Sequence, residues 1–281
     1  LDFIVEPWFM GGGADSPPGK EFAEWQASVE KQYGTKFATS LDALPPPAAP
    51  RLALISGRTA DNPRLLTEAI KHGCKCIYLE KPGAPTVAEL EQMTKEAENA
   101  GVEVLMGYNK NVCKYVAKTR EFAAGLPGSH VTFVTNNAYE NTPESLGECF
   151  ERNAEGMLKN MVIHELALLV SFYNVTVDNI ASVSADKEFS SLQTLPGPSG
   201  KMFTDFDKIK FTIKTKTGQE VSVQGDRCGG TDSYATVSDK SGKEVFRYWV
   251  SIFEELKIVC VTWILTDSFR AFTRCLTMKI R

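Results

Sequence analysis

Between residues 51 and 109 the chain alternates short apolar runs with capped amphipathic stretches, and this alternation narrows the possible folds most. "RLALISG" (51–57), "CKCIYLE" (74–80) and "VEVLMGYN" (102–109) are too short for core helices and rich in Ile, Leu and Val, so each reads as a buried strand. Between them, "NPRLLTEAIKHG" (62–73) has Asn62 as a cap, Pro63 at the first helical position and Gly73 after the end. "TVAELEQMTKEAENAG" (86–101) opens on Thr86 with Glu89 three residues on, a capping box. Upstream, "LDFIVE" reads as a strand ended by Pro7, and "GKEFAEWQASVEKQYG" as a helix with Phe22, Trp25, Val29 and Tyr33 at helical spacing. "TKFATSLDAL" and "PPPAAP" (45–50) read as an exposed connection. Strands separated by single helices re-enter a sheet from the same end, which predicts a parallel sheet with helical crossovers.

After a helix over "NKNVCKYVAKTREFAAG" the rhythm changes. "HVTFVTNNA" (130–138), "NIASVSADKE" (179–188), "DKIKFTIKTKTGQEVSVQG" (207–225) and "SYATVSDKSGKEVFRYW" (233–249) alternate apolar and polar residues, with "KTGQ" and "KSGK" where tight hairpin turns belong. A mostly antiparallel sheet with a helix near 156–173 across it is expected.

Charge and cysteine usage narrow the function classes. The formal charge is −4, and no long basic block precedes the C-terminus, so recognition of nucleic acid by phosphate neutralisation is not expected. Seven cysteines stand at irregular spacings without a CxxC pair, and three histidines accompany them, which predicts reduced thiols, no metal centre and a reducing compartment. The longest apolar run, "IVCVTWIL" (258–265), is too short to span a bilayer, so no membrane association is expected. A cytoplasmic location follows, any N-terminal targeting segment lying outside this chain.

Two stretches invite a nucleotide reading. "FMGGGADSPPGK" (9–20) resembles a phosphate loop superficially, but Ala14 stands where the first glycine belongs and Glu21 follows Lys20. Pro17 and Pro18 remove two backbone donors, and Pro17 breaks the run where a helix should begin. It reads as an ordinary surface loop. "YLEKPG" differs: Glu80, Lys81 and Pro82 sit at the carboxyl end of a parallel strand, where open α/β sheets hold ligands. Pro82 restricts Lys81 toward extended backbone, and a lysine there is either a general acid/base or a surface residue of a strand-to-helix loop.

"GCKCIYLEKPGAPTVAELEQM" followed by "VLMGYNKNV" resembles the Glu-Lys-Pro segment of the glucose-fructose oxidoreductase / inositol dehydrogenase family. The resemblance implies an α/β chain: a Rossmann-like parallel-sheet domain over 1–111, N-terminally incomplete, then an α+β domain with a mostly antiparallel sheet over 112–281 that binds substrate and pairs protomers. It implies an NAD(P)-dependent dehydrogenase acting on a secondary hydroxyl of a sugar, polyol or related small molecule, with a homo-oligomer through the C-terminal sheet. Lys81 matches the family lysine beside nicotinamide and substrate. His164, in "EGMLKNMVIHELALLVSFY", matches the family histidine. The family aspartate is replaced by Asn160, which hydrogen-bonds but takes up no proton, and Val162 and Glu155-Gly156 stand for family glycines.

By position, Glu6, Ser56, Arg58, Asn62, Glu80, Lys81, Pro82 and Asn109 are expected at the cofactor, and Lys81, Asn109, Lys110, Asn160 and His164 at the substrate. A carboxylate at Glu6 favours NAD over NADP, whose 2′-phosphate it would repel. If "LDFIVE" is the fold's second strand, the glycine-rich phosphate loop precedes residue 1, and dinucleotide affinity of the chain as it stands is expected to be impaired. A non-catalytic dinucleotide- or sugar-binding sensor is the alternative, favoured by Asn160 and by the missing phosphate loop. The apolar-then-basic stretch 258–281 departs from the family pattern.

Overall fold

The computed structural model describes residues 1–250; the stretch 258–281 lies outside the described residues. Two compact units are present, Leu1–Leu105 and the part from Met106 on.

The first unit runs β1 (Phe3–Val5), α1 (Pro17–Tyr33), β2 (Lys36–Ala38), β3 (Arg51–Ile55), α2 (Asn62–Lys71), β4 (Cys74–Leu79), α3 (Val87–Ala100) and β5 (Glu103–Met106). β1 pairs with β2 and β3 with β4, both in parallel, and β5 joins on the far side of β4. Inward burial is carried by Leu66 and Ala69 on α2 and by Ile77 and Leu79 on β4. Four aromatic rings seat α1: Phe22 and Trp25 meet Phe37 of β2 edge-on at 6.0 and 5.8 Å, and Phe9 stacks on Phe22.

Several local expectations change. Pro17 and Pro18 do not break the helix; they form its first turn, where no intrahelical donor is required, and Ser16 caps it through Gly19 N. Lys36–Ala38 is a strand, too short for its alternation to stand out in the sequence. Asn62 is itself helical (φ −55°) and leaves the cap position to Asp61. β3 is not buried on both faces, since Leu52 and Leu54 are 45% and 62% exposed. The capping box of Thr86 and Glu89 forms as expected.

The second unit contains α4 (Lys114–Ala124), β6 (His130–Asn136), α5 (Pro143–Arg152), α6 (Met157–Asn160), α7 (Ile163–Tyr173), β7 (Ile180–Ala185), β8 (Ser191–Pro196), β9 (Met202–Thr215), β10 (Glu220–Asp226), β11 (Ser233–Ser238) and β12 (Glu244–Val250). The strand order is β12-β11-β6-β10-β9-β7, with β8 also on β9, and all pairs are antiparallel except β6 with β10. Period-two alternation puts Val131 and Phe133 of β6, Ile209, Phe211 and Ile213 of β9, Val221 and Val223 of β10, and Ala235 and Val237 of β11 on one face. Tyr115 and Val116 of α4 and Leu168 and Leu169 of α7 cover that face and complete the core.

Here too the structure adds detail. The helix expected over "NKNVCKYVAKTREFAAG" divides into a 3₁₀ turn (Asn109–Val112) and α4. The helix expected near 156–173 divides at Met161–Val162 into α6 and α7. α5 and β8 were not expected. They close on each other where Gly147 of α5 lies so near the Pro196 carbonyl that a β-carbon would overlap it.

Candidate functional site

In the first unit the carboxyl ends of β3 and β4 bring together most of the residues expected at the cofactor. Ser56, Gly57 and Arg58 leave β3, and Glu80, Lys81, Pro82 and Gly83 leave β4. Glu80 N donates to Ile55 O (2.9 Å) and Gly83 N to Glu80 O (3.1 Å), which closes a tight turn around Lys81. The Lys81–Pro82 peptide is cis. Burial pushes the Glu80 carboxyl up, with neighbouring Lys81 pulling it back down.

Asn62 is 1% exposed; its Nδ2 approaches Glu80 O at 3.4 Å, and its Oδ1 is buried without a hydrogen-bond partner among the described residues. An orphan buried acceptor costs about 1–3 kcal/mol unless a ligand donor satisfies it. This atom, at the start of α2 and beside two strand ends, fits a dinucleotide site. Glu6 follows β1, which pairs with β2 in a sheet of its own. Its Oε1 accepts from Trp8 N (2.9 Å) and Phe9 N (3.1 Å) and so shapes its own loop. In that loop the amides of Gly11 and Gly13 bond Trp8 O, and the Trp8 indole covers Gly13, so the glycines fold on the indole as an ordinary loop.

In the second unit Asn109 and Lys110 open the 3₁₀ turn, Asn160 ends α6, and His164 lies in the first turn of α7. The Tyr108 ring meets the His164 ring edge-on, centroids 6.4 Å apart. Burial pushes the Tyr108 hydroxyl up and keeps it protonated. Lys110 departs from its expected place on a substrate surface. It is 5% exposed, and its Nζ donates to Glu165 Oε1 (2.5 Å), Thr135 Oγ1 (2.9 Å) and Ser233 Oγ (3.1 Å), using all three protons inside the protein. Burial pushes the fully enclosed Glu165 carboxyl up, and Lys110 pulls it back down.

A second buried pair anchors α6. Arg227, following β10, donates from Nη2 to Asp205 Oδ2 (2.6 Å), from Nε to Phe206 O (3.1 Å) and from Nη1 to Cys149 Sγ (3.0 Å). Asp205 Oδ1 accepts from Met157 N (2.9 Å), the first amide of α6, which follows Gly156 at φ +86°. The helix carrying Asn160 thus begins on a neutralised carboxylate.

Sequence reasoning missed Tyr108, Glu165, Thr135, Ser233, Asp205 and Arg227. A partial signal existed: Thr135 and Ser233 continue the inward rows of β6 and β11, and Asp205 that of β9, so each is a polar residue at a core-facing position.

Residues 20–108 match the family model described as "Oxidoreductase family, NAD-binding Rossmann fold". No curated protein sequence matches the chain. Solved structures that it resembles include myo-inositol dehydrogenase from Corynebacterium glutamicum (16% identity, 89% of this chain, 67% of that one, TM-score 0.61). Another is myo-inositol 2-dehydrogenase from Lactobacillus plantarum (15% identity, 88% and 68%, TM-score 0.62). A third is GenD2 from gentamicin A biosynthesis, in complex with NAD (17% identity, 89% and 64%, TM-score 0.63). These matches agree with the resemblance to the glucose-fructose oxidoreductase / inositol dehydrogenase family: residues 20–108 match that oxidoreductase model, and the fold of a parallel-sheet unit followed by a mostly antiparallel one is shared with the solved structures. Among the described residues no helix is long and apolar enough to cross a membrane.

Proposed function

We propose that this chain is an NAD-dependent dehydrogenase that oxidises a secondary hydroxyl of a sugar, polyol or related small molecule. The observation that carries this reading is the Glu80–Lys81–Pro82 turn at the end of β4, held against β3 and approached at Glu80 O by the amide nitrogen of Asn62, whose amide oxygen is buried and unsatisfied among the described residues. The inositol dehydrogenases among the structural relatives support the substrate class.

Glu6, Ser56, Arg58, Asn62, Glu80 and Pro82 are the residues of the first unit that would hold the dinucleotide. Bound NAD would supply the hydride acceptor for the carbinol carbon. Lys81 takes the hydroxyl proton on its Nζ as the carbonyl forms, which requires the amine to be neutral at that moment. His164 would hydrogen-bond a substrate hydroxyl and set its direction. Asn160 offers an amide to a neighbouring hydroxyl and, unlike an aspartate, takes no part in proton relay. The chain pairs with copies of itself through the C-terminal sheet.

The test is turnover of a sugar and polyol panel, myo-inositol included, with NAD⁺ or NADP⁺, followed by nicotinamide absorbance. Lys81→Ala is expected to lower kcat by about 10²–10⁴-fold. Cofactor binding by calorimetry without turnover of any substrate would favour a second reading, a dinucleotide-binding sensor, for which the loss of a protonatable group at Asn160 is the specific observation.

A further inference from the structure

The run Tyr108–Asn111 meets α7 at three successive places. The Tyr108 ring lies edge-on to His164, Lys110 Nζ bonds Glu165, and Asn111 Nδ2 donates to Ser171 Oγ at 3.0 Å. The central contact is the most demanding. Glu165 is 0% exposed and Lys110 5%, and the remaining protons of Lys110 go to Thr135 and Ser233 at the ends of the inward rows of β6 and β11. β6 and β11 pair antiparallel with Tyr234 opposite Val134, so one step further along this register Ser233 and Thr135 are cross-strand neighbours, and the ammonium sits over that pair. A buried ion pair is a poor source of net stability, but its geometric requirements are strict.

We propose that Lys110 and Glu165 are positioning residues. Their pair locks the first turn of α7 to two strand ends and to the 3₁₀ turn, and so holds the His164 ring against Tyr108. The helical step of about 100° between adjacent residues turns Glu165 to the sheet while His164 is offset from it. Rotation of this turn would therefore carry the imidazole with it. This inference rests on the reading of His164 as a site residue, and it removes Lys110 from the substrate-contacting set.

The chain has three histidines, His72, His130 and His164, so ring signals of ¹³C-histidine-labelled protein report His164 beside two internal references. Glu165→Leu and Lys110→Met are expected to displace or split the His164 signal alone. Glu165→Gln, which still accepts from Lys110, is expected to keep it near its wild-type position. An unmoved His164 signal in both disruptive variants, or equal displacement in Glu165→Gln and Glu165→Leu, would overturn the proposal. Should the single variants unfold, seen as movement of all three signals, Lys110→Met/Glu165→Gln leaves no buried charge unpaired and carries the comparison. In that double variant, displacement of His164 alone supports the proposal, whereas an unmoved signal, or movement of all three, refutes it.

With myo-inositol and NAD⁺, kcat in Glu165→Leu is expected to fall on the order of tenfold to a hundredfold, with KM for NAD⁺ unchanged. Absence of wild-type turnover across the whole panel would count against the oxidoreductase reading, while the NMR comparison, which needs no substrate, still decides this one.

Discussion

Replacing Arg227 with Met tests how α6, and with it Asn160, is held. The guanidinium is 1% exposed and serves a carboxylate, a carbonyl and a thiol, and it lies 5.7 Å from the centre of the Phe150 ring. Met fills much of the same volume, so the cavity term is small and the loss is mainly electrostatic. Asp205 would keep one partner, Met157 N, and remain enclosed without a countercharge. Breaking a buried pair from one side costs about 3–5 kcal/mol. That is about a fifth or more of the roughly 5–15 kcal/mol by which a domain is stable. The companion variant is Arg227→Met/Asp205→Asn, in which the charge is gone but a side-chain oxygen can still accept from Met157 N. It is expected to recover about 1–2 kcal/mol relative to Arg227→Met alone, because the uncompensated charge rather than the missing contacts dominates. Urea titrations followed by tryptophan fluorescence and far-ultraviolet circular dichroism give both values. A loss below about 1 kcal/mol in the single variant, or a double variant no better than it, would show that Arg227 and Asp205 are solvated and do not anchor α6.

Two further outcomes follow from particular contacts. Burial pushes the Tyr173 hydroxyl up to about 12, with Arg120 opposing. The folded pKa is above the unfolded value near 10, so its contribution is fully present below pH 10 and is lost as pH rises toward 12. By about 1.36 kcal/mol per unit this is about 2–3 kcal/mol, and Tyr173→Phe should flatten the wild-type decline in denaturation midpoints across that window. Gly147→Ala places a methyl group on the Pro196 carbonyl, so α5 and β8 must separate at a cost of about 1–3 kcal/mol, read as a lower midpoint and faster amide exchange in β8.

Much of the architecture was legible because its determinants are local. The period-two rows of β6, β9, β10 and β11 and the Thr86–Glu89 cap follow from neighbours a few residues apart. The position of Lys81 was legible for the same reason, since a strand, a turn and a capped helix surround it in sequence. Where local signals were weak the reading slipped. β2 has three residues, and β8 alternates exposed with half-buried positions, so neither carries an apolar face strong enough to announce itself. The consecutive prolines at 17 and 18 carry two compatible local meanings, loop or first helical turn, and only the packing of Phe22 and Trp25 on Phe37 selects the second.

The sequence by itself determined two successive sheet domains of different strand direction and a lysine at the carboxyl end of a parallel strand. Tertiary structure alone decided which charges are buried and what they hold. Lys110 reads as a substrate-facing residue at the start of a helix until Thr135, Glu165 and Ser233, 25, 55 and 123 residues away, converge on its ammonium. Arg227 likewise finds Asp205 and Cys149, 22 and 78 residues away. Periodicity records the face on which a side chain lies. A buried charge is decided by partners brought from distant segments, because only their combined hydrogen bonds offset the loss of water.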